Sequence, residues 1–207
     1  MLDRQEYWTG RYNKQKHMTV GNSCFSSEEF ITSTARIRKV LRDISISYNL
    51  FYGKSILDFG CGWGRIARML LDFGARKVVG VDLVEWAVKT AKAEVPNGDF
   101  EVFDGIDLSF KDETFDTVLS WTVLQHVPNT SIWITCQEIG RVLAKGGYLV
   151  LYENCASDRK DSDYIWFRPK ANYLSFFKGY EILKDELVTA IDGTNEVHHL
   201  LIMRKPC

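Results

Sequence analysis

No apolar run in this chain approaches the roughly 18 residues that a membrane-spanning helix requires. Its opening, MLDRQEYWTGRYNK, is polar from the third residue and lacks the apolar stretch of a secretory signal. Cysteine is sparse. The five residues Cys24, Cys61, Cys136, Cys155 and Cys207 are odd in number and never spaced Cys-x-x-Cys, which fits reduced thiols better than disulfides or a zinc site. The terminal RKPC lacks the three residues that must follow the cysteine of a prenylation box. Neither sign of charge dominates: 26 basic residues face 27 acidic ones, so no overall field gathers nucleic acid or an anionic membrane. These absences predict a soluble, cytoplasmic protein with no membrane partner.

What is present is a strong alternation of strand and helix patterns. At 207 residues the chain suits one well-buried domain. Ser26 to Ser47 reads as a helix, with Phe30, Ile37, Val40, Leu41 and Ile44 spaced along one face. SILDF, KVVGVDL, DFEVFDG, FDTVLSW and YLVLYEN read as five strands, with helical segments after the first, second and fourth and a Lys-Gly-Gly turn before the last. GYEILKDELV and HHLLIMRK break the rhythm as two strands without a full helix between them. The fold predicted is α/β: a doubly wound, mostly parallel seven-stranded sheet with the last strand antiparallel and helices on both faces. One domain covers 1–207, with a helical segment at 1–49, the α/β core at 50–207, and an insertion at about 155–178 rich in aromatic and basic residues.

SILDFGCGWGRIARML concentrates the chemistry. An apolar run ends in Asp58, and Gly60, Gly62 and Gly64 alternate before a helix pattern begins. Glycine costs backbone entropy, so three within five residues imply a close approach to the backbone. A dinucleotide, a phosphate or another adenosine-bearing cofactor would qualify, and in such a sheet ligands sit beyond the carboxyl ends of the strands. The nicotinamide fingerprint wants a glycine where Arg65 stands, and a Walker loop needs a Gly-Lys-Ser/Thr ending that is missing. Tyr180 and Lys184 stand four apart, as in short-chain dehydrogenases, but in a strand-like stretch rather than on a helix.

The order of motifs resembles the class I S-adenosylmethionine (AdoMet)-dependent methyltransferases, from about Ser55 to Lys205. ILDFGCGWGR resembles their first motif, VVGVDL the second strand, FEVFDG the third, DLSFKDETFDTVLSWTVLQHV the fourth with the segment after it, and EIGRVLAKGGYLVL the fifth. The resemblance implies that the methionine half of AdoMet lies across Gly60, Cys61 and Gly62, with Asp58 ordering the loop or meeting the ammonium. It implies that Asp82, with Leu83 beside it, accepts the ribose hydroxyls. Asp104 and Gly105 would meet the adenine, and Ser120 and Trp121 the methionine part. EYWTGRYNK resembles the lid of many small-molecule methyltransferases, which makes Trp8, Arg11 and Tyr12 contact residues. Arg36 is the candidate for the methionine carboxylate, ahead of Arg38.

Methyl transfer from a sulfonium needs proximity and alignment, and a base only if the acceptor must lose a proton. His126 is the candidate base, with a packed or capping histidine as the alternative. Some relatives acting on quinone-pathway phenols hold a metal in this segment; the matching positions here are Thr122 and Gln125, so no metal is expected. His198 and His199 would point to opposite faces of a strand as structural residues, and His17 supports no role. Tyr164, Trp166, Arg168 and Tyr173, in the insertion, are the acceptor-binding candidates. The motifs that mark nucleic-acid methylation on this fold are missing after the fourth strand. The expected function is AdoMet-dependent methylation of an oxygen or nitrogen on a small molecule or glycan-type metabolite. A non-catalytic AdoMet-binding subunit, a nicotinamide enzyme, and a nucleic-acid or protein methyltransferase are the competing readings.

Overall fold

The computed structural model describes residues 4–15, 26–155, 159–162, 164–189 and 197–207. His17 and Cys24 lie outside them. In chain order the elements are α1 (Arg4–Gln15), α2 (Ser27–Tyr48), β1 (Ser55–Phe59), α3 (Arg65–Asp72), β2 (Lys77–Asp82), α4 (Glu85–Glu94), β3 (Asp99–Val102), β4 (Phe115–Trp121), a short 3₁₀ turn (Leu124–His126), α5 (Ile132–Val142), β5 (Leu143–Asn154), β6 (Arg159–Ser162), β7 (Ile165–Phe167), α6 (Lys170–Phe176), β8 (Glu181–Thr189) and β9 (Val197–Arg204). Helix α2 begins with a reciprocal cap: Glu29 N–H donates to Ser26 Oγ at 3.2 Å, and Ser26 N–H donates to the Glu29 carboxylate at 2.7 Å. It ends at Asn49, in the left-handed conformation.

Seven strands form one sheet in the order β3-β2-β1-β4-β5-β9-β8. Every pair from β3 to β5 is parallel, and β9 runs antiparallel to both of its neighbours. The period-2 pattern of each strand feeds two cores. Ile56, Leu119, Val150 and Ile202 face α2, α3 and α4, while Leu57, Val118, Leu149 and Leu201 face α5 and α6. Strand order reverses between β1 and β4, so the loops after those two strands open a crevice at their carboxyl ends.

Two details differ from the sequence expectation. The third strand ends at Val102, leaving Phe103 to Gly105 as a loop. The fifth starts directly after α5, and its Lys-Gly-Gly segment is a bulge, where pairing with β4 jumps from Phe115–Leu143 to Thr117–Tyr148. A side chain on Gly147 would collide there with the carbonyls of Ala144 and Asp116, at 2.8 and 2.9 Å. The insertion forms the β6–β7 hairpin and α6. Among the described residues no helix is long and apolar enough to cross a membrane.

Candidate cofactor and acceptor site

Strand β1 delivers Asp58 to the crevice, and the chain then turns through Gly60, Gly62 and Gly64 at φ of 78°, 56° and 88°, a region that L side chains adopt only with strain. Two of these glycines answer to the protein itself. A side chain on Gly60 would overlap the methyl groups of Val123, from the turn after β4, and one on Gly64 would meet Val95 at 2.9 Å. Packing and backbone conformation therefore dictate these glycines, rather than ligand approach alone.

Asp82, half-buried at the end of β2, holds the loop: its carboxylate accepts from Gly62 N–H and from Val84 N–H, each at 2.9 Å. A carboxylate has about four acceptor positions, so room remains for hydroxyl donors. Asp58 is 2% exposed, and its Oδ2 has no hydrogen-bond partner. Burial pushes this carboxyl up to about 7; the Ala67 amide and Arg65 oppose that shift and Asp82 adds to it. An orphaned, buried carboxylate oxygen beside a loop of bare backbone fits an ammonium-bearing ligand. Cys61 is buried, and its thiol is pushed well up by burial, with Asp82 and Asp58 adding, so it stays protonated and packs as a small apolar group. Asp104 is exposed and accepts from the amides of Ile106 and Asp107, at 2.8 and 3.1 Å. A side chain on Gly105 would strike the Arg4 guanidinium and crowd Leu83 Cδ1 at 3.1 Å.

Helix α1 lies over this crevice. Tyr12 is 4% exposed and clusters with Val84 and Ala87, with Trp8, Trp63 and Trp86 packed around them. Its hydroxyl is pushed well above the usual range by burial first and by Asp82 second. Trp8 meets the His126 ring edge-on at 4.7 Å between centroids, and the Arg11 guanidinium covers the Trp8 ring at 4.9 Å. The N-terminal residues read as a lid thus converge on the same crevice as the glycine loop.

The turn after β4 forms the third wall. Thr122 takes a left-handed φ of 56°, unusual for a β-branched residue. His126 follows, with Nδ1 2.9 Å from the Tyr164 carbonyl and Nε2 3.3 Å from the Gln125 amide nitrogen. A carbonyl only accepts, so Nδ1 carries the proton and Nε2 accepts from Gln125. Burial lowers the His126 pKa to about 4, against the carbonyl contact and with Arg11 and Arg4 adding to the lowering. The ring is therefore neutral, with both nitrogens engaged. Thr122 and Gln125 supply no carboxylate, and among the described residues no group of three His, Cys, Asp or Glu side chains is placed to hold a metal ion.

Several expected residues go elsewhere. Arg168 is 2% exposed and spends its guanidinium on the carbonyls of Leu124, Val127 and Trp166 and on Asn129. Tyr173 is fully buried in the α5–α6 core. Neither lines the crevice, in contrast to Tyr164, whose ring stacks on Tyr7 of α1 at 4.0 Å. Trp166 sits half-buried on β7. Arg36 is on an exposed face of α2, and Arg38 pairs with Asp72 at 2.8 Å. Buried Arg65 takes the inward place: Nη1 reaches Thr34 Oγ1 at 3.2 Å, and its charge faces Tyr12 and Asp58. Trp121 stacks on Tyr152 at 4.2 Å, and Tyr152 on His198 at 4.8 Å, a ladder of rings across β4, β5 and β9. His199 turns to the other face and meets Asp185 at 3.1 Å. Ser120 gives its hydroxyl to Glu153 at 2.8 Å. Glu153 is the residue that sequence reasoning passed over. Its signal was a carboxylate inside the apolar strand YLVLYEN, a place where charge is costly unless partnered.

Residues 56–147 match a family model described as a methyltransferase domain. The 2-methyl-6-phytyl-1,4-hydroquinone methyltransferase of Synechocystis is 33% identical over 121 residues, which cover 56% of this chain and 37% of that protein. The ubiquinone biosynthesis O-methyltransferase of Mesorhizobium japonicum is 32% identical over 103 residues, covering 48% of this chain and 40% of that protein. The chain thus spans well under half the length of these two curated relatives. Among solved structures, magnesium protoporphyrin IX methyltransferase from Synechocystis, with S-adenosylhomocysteine bound, superposes with a TM-score of 0.77 over 97% of both chains at 16% identity, a likeness of fold. Residues 56–147 thus match a methyltransferase-domain family, and the strand order with the glycine loop between β1 and α3 gives the chain the fold of the S-adenosylmethionine-dependent methyltransferases it resembles.

Proposed function

We propose that this chain transfers a methyl group from AdoMet to an oxygen or nitrogen of a small molecule or glycan-type metabolite. One observation carries the reading: orphaned Asp58 Oδ2 and the Asp82 carboxylate flank one glycine loop, so that acceptors for an ammonium and for ribose hydroxyls face the same crevice. Gly60, Cys61 and Gly62 would carry the methionine half, with Asp58 toward its ammonium. Asp82 and Leu83 would meet the ribose, and Asp104 and Gly105 the adenine. When bound, AdoMet supplies an activated methyl on a good leaving group, so the protein's work is alignment and exclusion of water. Trp8, Arg11 and Tyr12 close the crevice from α1. Trp121 and His126 form its floor, and Tyr164 and Trp166 its acceptor side.

An acceptor hydroxyl must still lose its proton. His126 is neutral, as a base must be, but its Nε2 takes Gln125 as donor, so acting as base requires the Gln125 amide to turn away. We read its resting role as joining the lid to the hairpin. The two sequence relatives, a hydroquinone methyltransferase and an O-methyltransferase of ubiquinone biosynthesis, support a ring-bearing acceptor for a site walled by aromatic side chains. Free buried thiols at Cys61, Cys136 and Cys155 support a reducing compartment, the cytoplasm. The test is a screen of purified protein with AdoMet against metabolite pools, read by mass for a methylated product. Such a product supports catalysis, whereas AdoMet binding without any product favours a binding subunit.

A further inference from the structure

The turn that separates the cofactor loop from the acceptor side is gripped from both ends by buried side chains of opposite charge. From β5, Glu153, 1% exposed, accepts from Ser120 Oγ–H at 2.8 Å, from the amides of Val123 and Leu124 at 3.1 Å each, and from the amide of Gln125 at 3.2 Å. From the far end, Arg168 donates to the Leu124 carbonyl at 2.9 Å and to the Val127 carbonyl. Asn129 Oδ1 holds the same guanidinium at 3.0 and 2.7 Å. The amides that open a helical turn carry partial positive charge and the carbonyls that close it carry negative charge, so each side chain sits at the end of opposite sign.

Two contacts carry this grip outward. Val123 packs its methyl groups on Gly60 of the cofactor loop. His126 reaches the Tyr164 carbonyl and the Trp8 ring, which belong to the hairpin and the lid. Just before them lies Thr122, held at a φ of 56° that persists only when its surroundings enforce it. We propose that Glu153 and Arg168 are positioning residues for methyl transfer, which fix the Thr122–Val127 turn so that Val123 sets the cofactor loop while His126 docks lid and hairpin. This rests on the methyltransferase reading for its purpose, though not for its geometry.

The Glu153 carboxyl gives a handle, because burial raises it to about 7 against the four donors. The titratable groups around it are Tyr173 of α6, Cys136 of α5, and Cys155, all of which lie above it, and His199, opposite it on β9. Arg168, Lys170 and Asp185 complete the charged surroundings.

The experiment is NMR of the full chain. In the wild type, the amide protons of Val123, Leu124 and Gln125 should move together with pH, with one midpoint near 7. In E153Q that movement should vanish, the Gly60 amide and His126 ring signals should shift, and S-adenosylhomocysteine affinity should fall about five- to tenfold. A folded E153Q with unmoved Gly60 and His126 signals would overturn the proposal. Should E153Q fail to fold, S120A decides, since it removes one donor and leaves the carboxylate. It should raise the common midpoint, and an unchanged midpoint would overturn the proposal. A wild type that has the coupled shifts but binds no S-adenosylhomocysteine would remove the methyl-transfer purpose and overturn the positioning role, while a clamp without coupled shifts fails regardless of binding.

Discussion

Val123 rests on Gly60: the valine methyl groups fill the space where a side chain on that glycine would begin. This contact joins the loop after β1 to the turn after β4 across the switch point. Gly60→Ala should therefore suffer twice, from its φ of 78° and from the collision, and lose about 2–4 kcal/mol of stability. Val123→Ala in the same chain should return the collision part and leave the backbone part. Urea midpoints of the two single variants and the double variant measure this; a double variant no better than Gly60→Ala alone would remove the contact from the account.

Asp58 should make ligand binding a proton-releasing event. Its carboxyl, raised to about 7 mainly by burial, is largely protonated at pH 6, and an incoming ammonium favours the ionised form. S-adenosylhomocysteine affinity should rise between pH 6 and pH 8, with protons released to buffer below about pH 7. Calorimetry in buffers of different ionisation enthalpy reads the release directly, and Asp58→Asn should abolish it. Equal heats in all buffers would separate Asp58 from the ammonium.

The same shift has a consequence for the unliganded fold. Asp58 and Glu153, each raised to about 7, hold protons more tightly folded than unfolded. The stability they contribute is fully present below their unfolded values, near 4, and is lost as pH rises through about 7. Asp58→Asn should flatten the pH dependence of the urea midpoint between pH 5 and pH 8. A variant as steep as the wild type would contradict the burial assignment.

How far the chain disclosed itself follows from where information is local. The alternation of apolar residues in SILDF and FDTVLSW reports two buried faces without any structure, and the cores divide along that alternation. Asp58 and Asp82 stand out in the sequence because they close apolar runs just before a glycine or a helix. Arg168 and Tyr173 misled: an aromatic or guanidinium side chain in an insertion reads the same whether it faces a ligand or a carbonyl, and only folding decides. Arg36 and Arg65 are separated by helix phase and loop geometry, which place the first outward and the second beneath Tyr12. Glu153 was hidden for a further reason. Its four donors come from β4 and the turn that follows, about thirty residues away in sequence, and no spacing rule reaches that far.

His126 should stay neutral, with the proton on Nδ1, from pH 6 to pH 8. Burial keeps the ring neutral against the opposing Tyr164 contact, and that contact places the proton on Nδ1. Long-range proton–nitrogen NMR of the imidazole distinguishes the tautomers, and any pH–rate profile should lack an inflection from this ring in that window. A charged ring at pH 7, or a proton on Nε2, would contradict the assignment.

Asp82→Ala should weaken S-adenosylhomocysteine binding on the order of 10- to 100-fold, through the loss of charge-assisted hydrogen bonds and of the loop anchor at Gly62. Unchanged affinity in a folded variant would take Asp82 out of the site.

The most direct measurement is a calorimetric titration of the purified wild-type chain with AdoMet and with S-adenosylhomocysteine. The expected result is saturable binding of both, one ligand per chain, with affinity lost in Asp82→Ala. Folded protein that ignores both at millimolar concentration, or that binds a nicotinamide dinucleotide tightly instead, would contradict it.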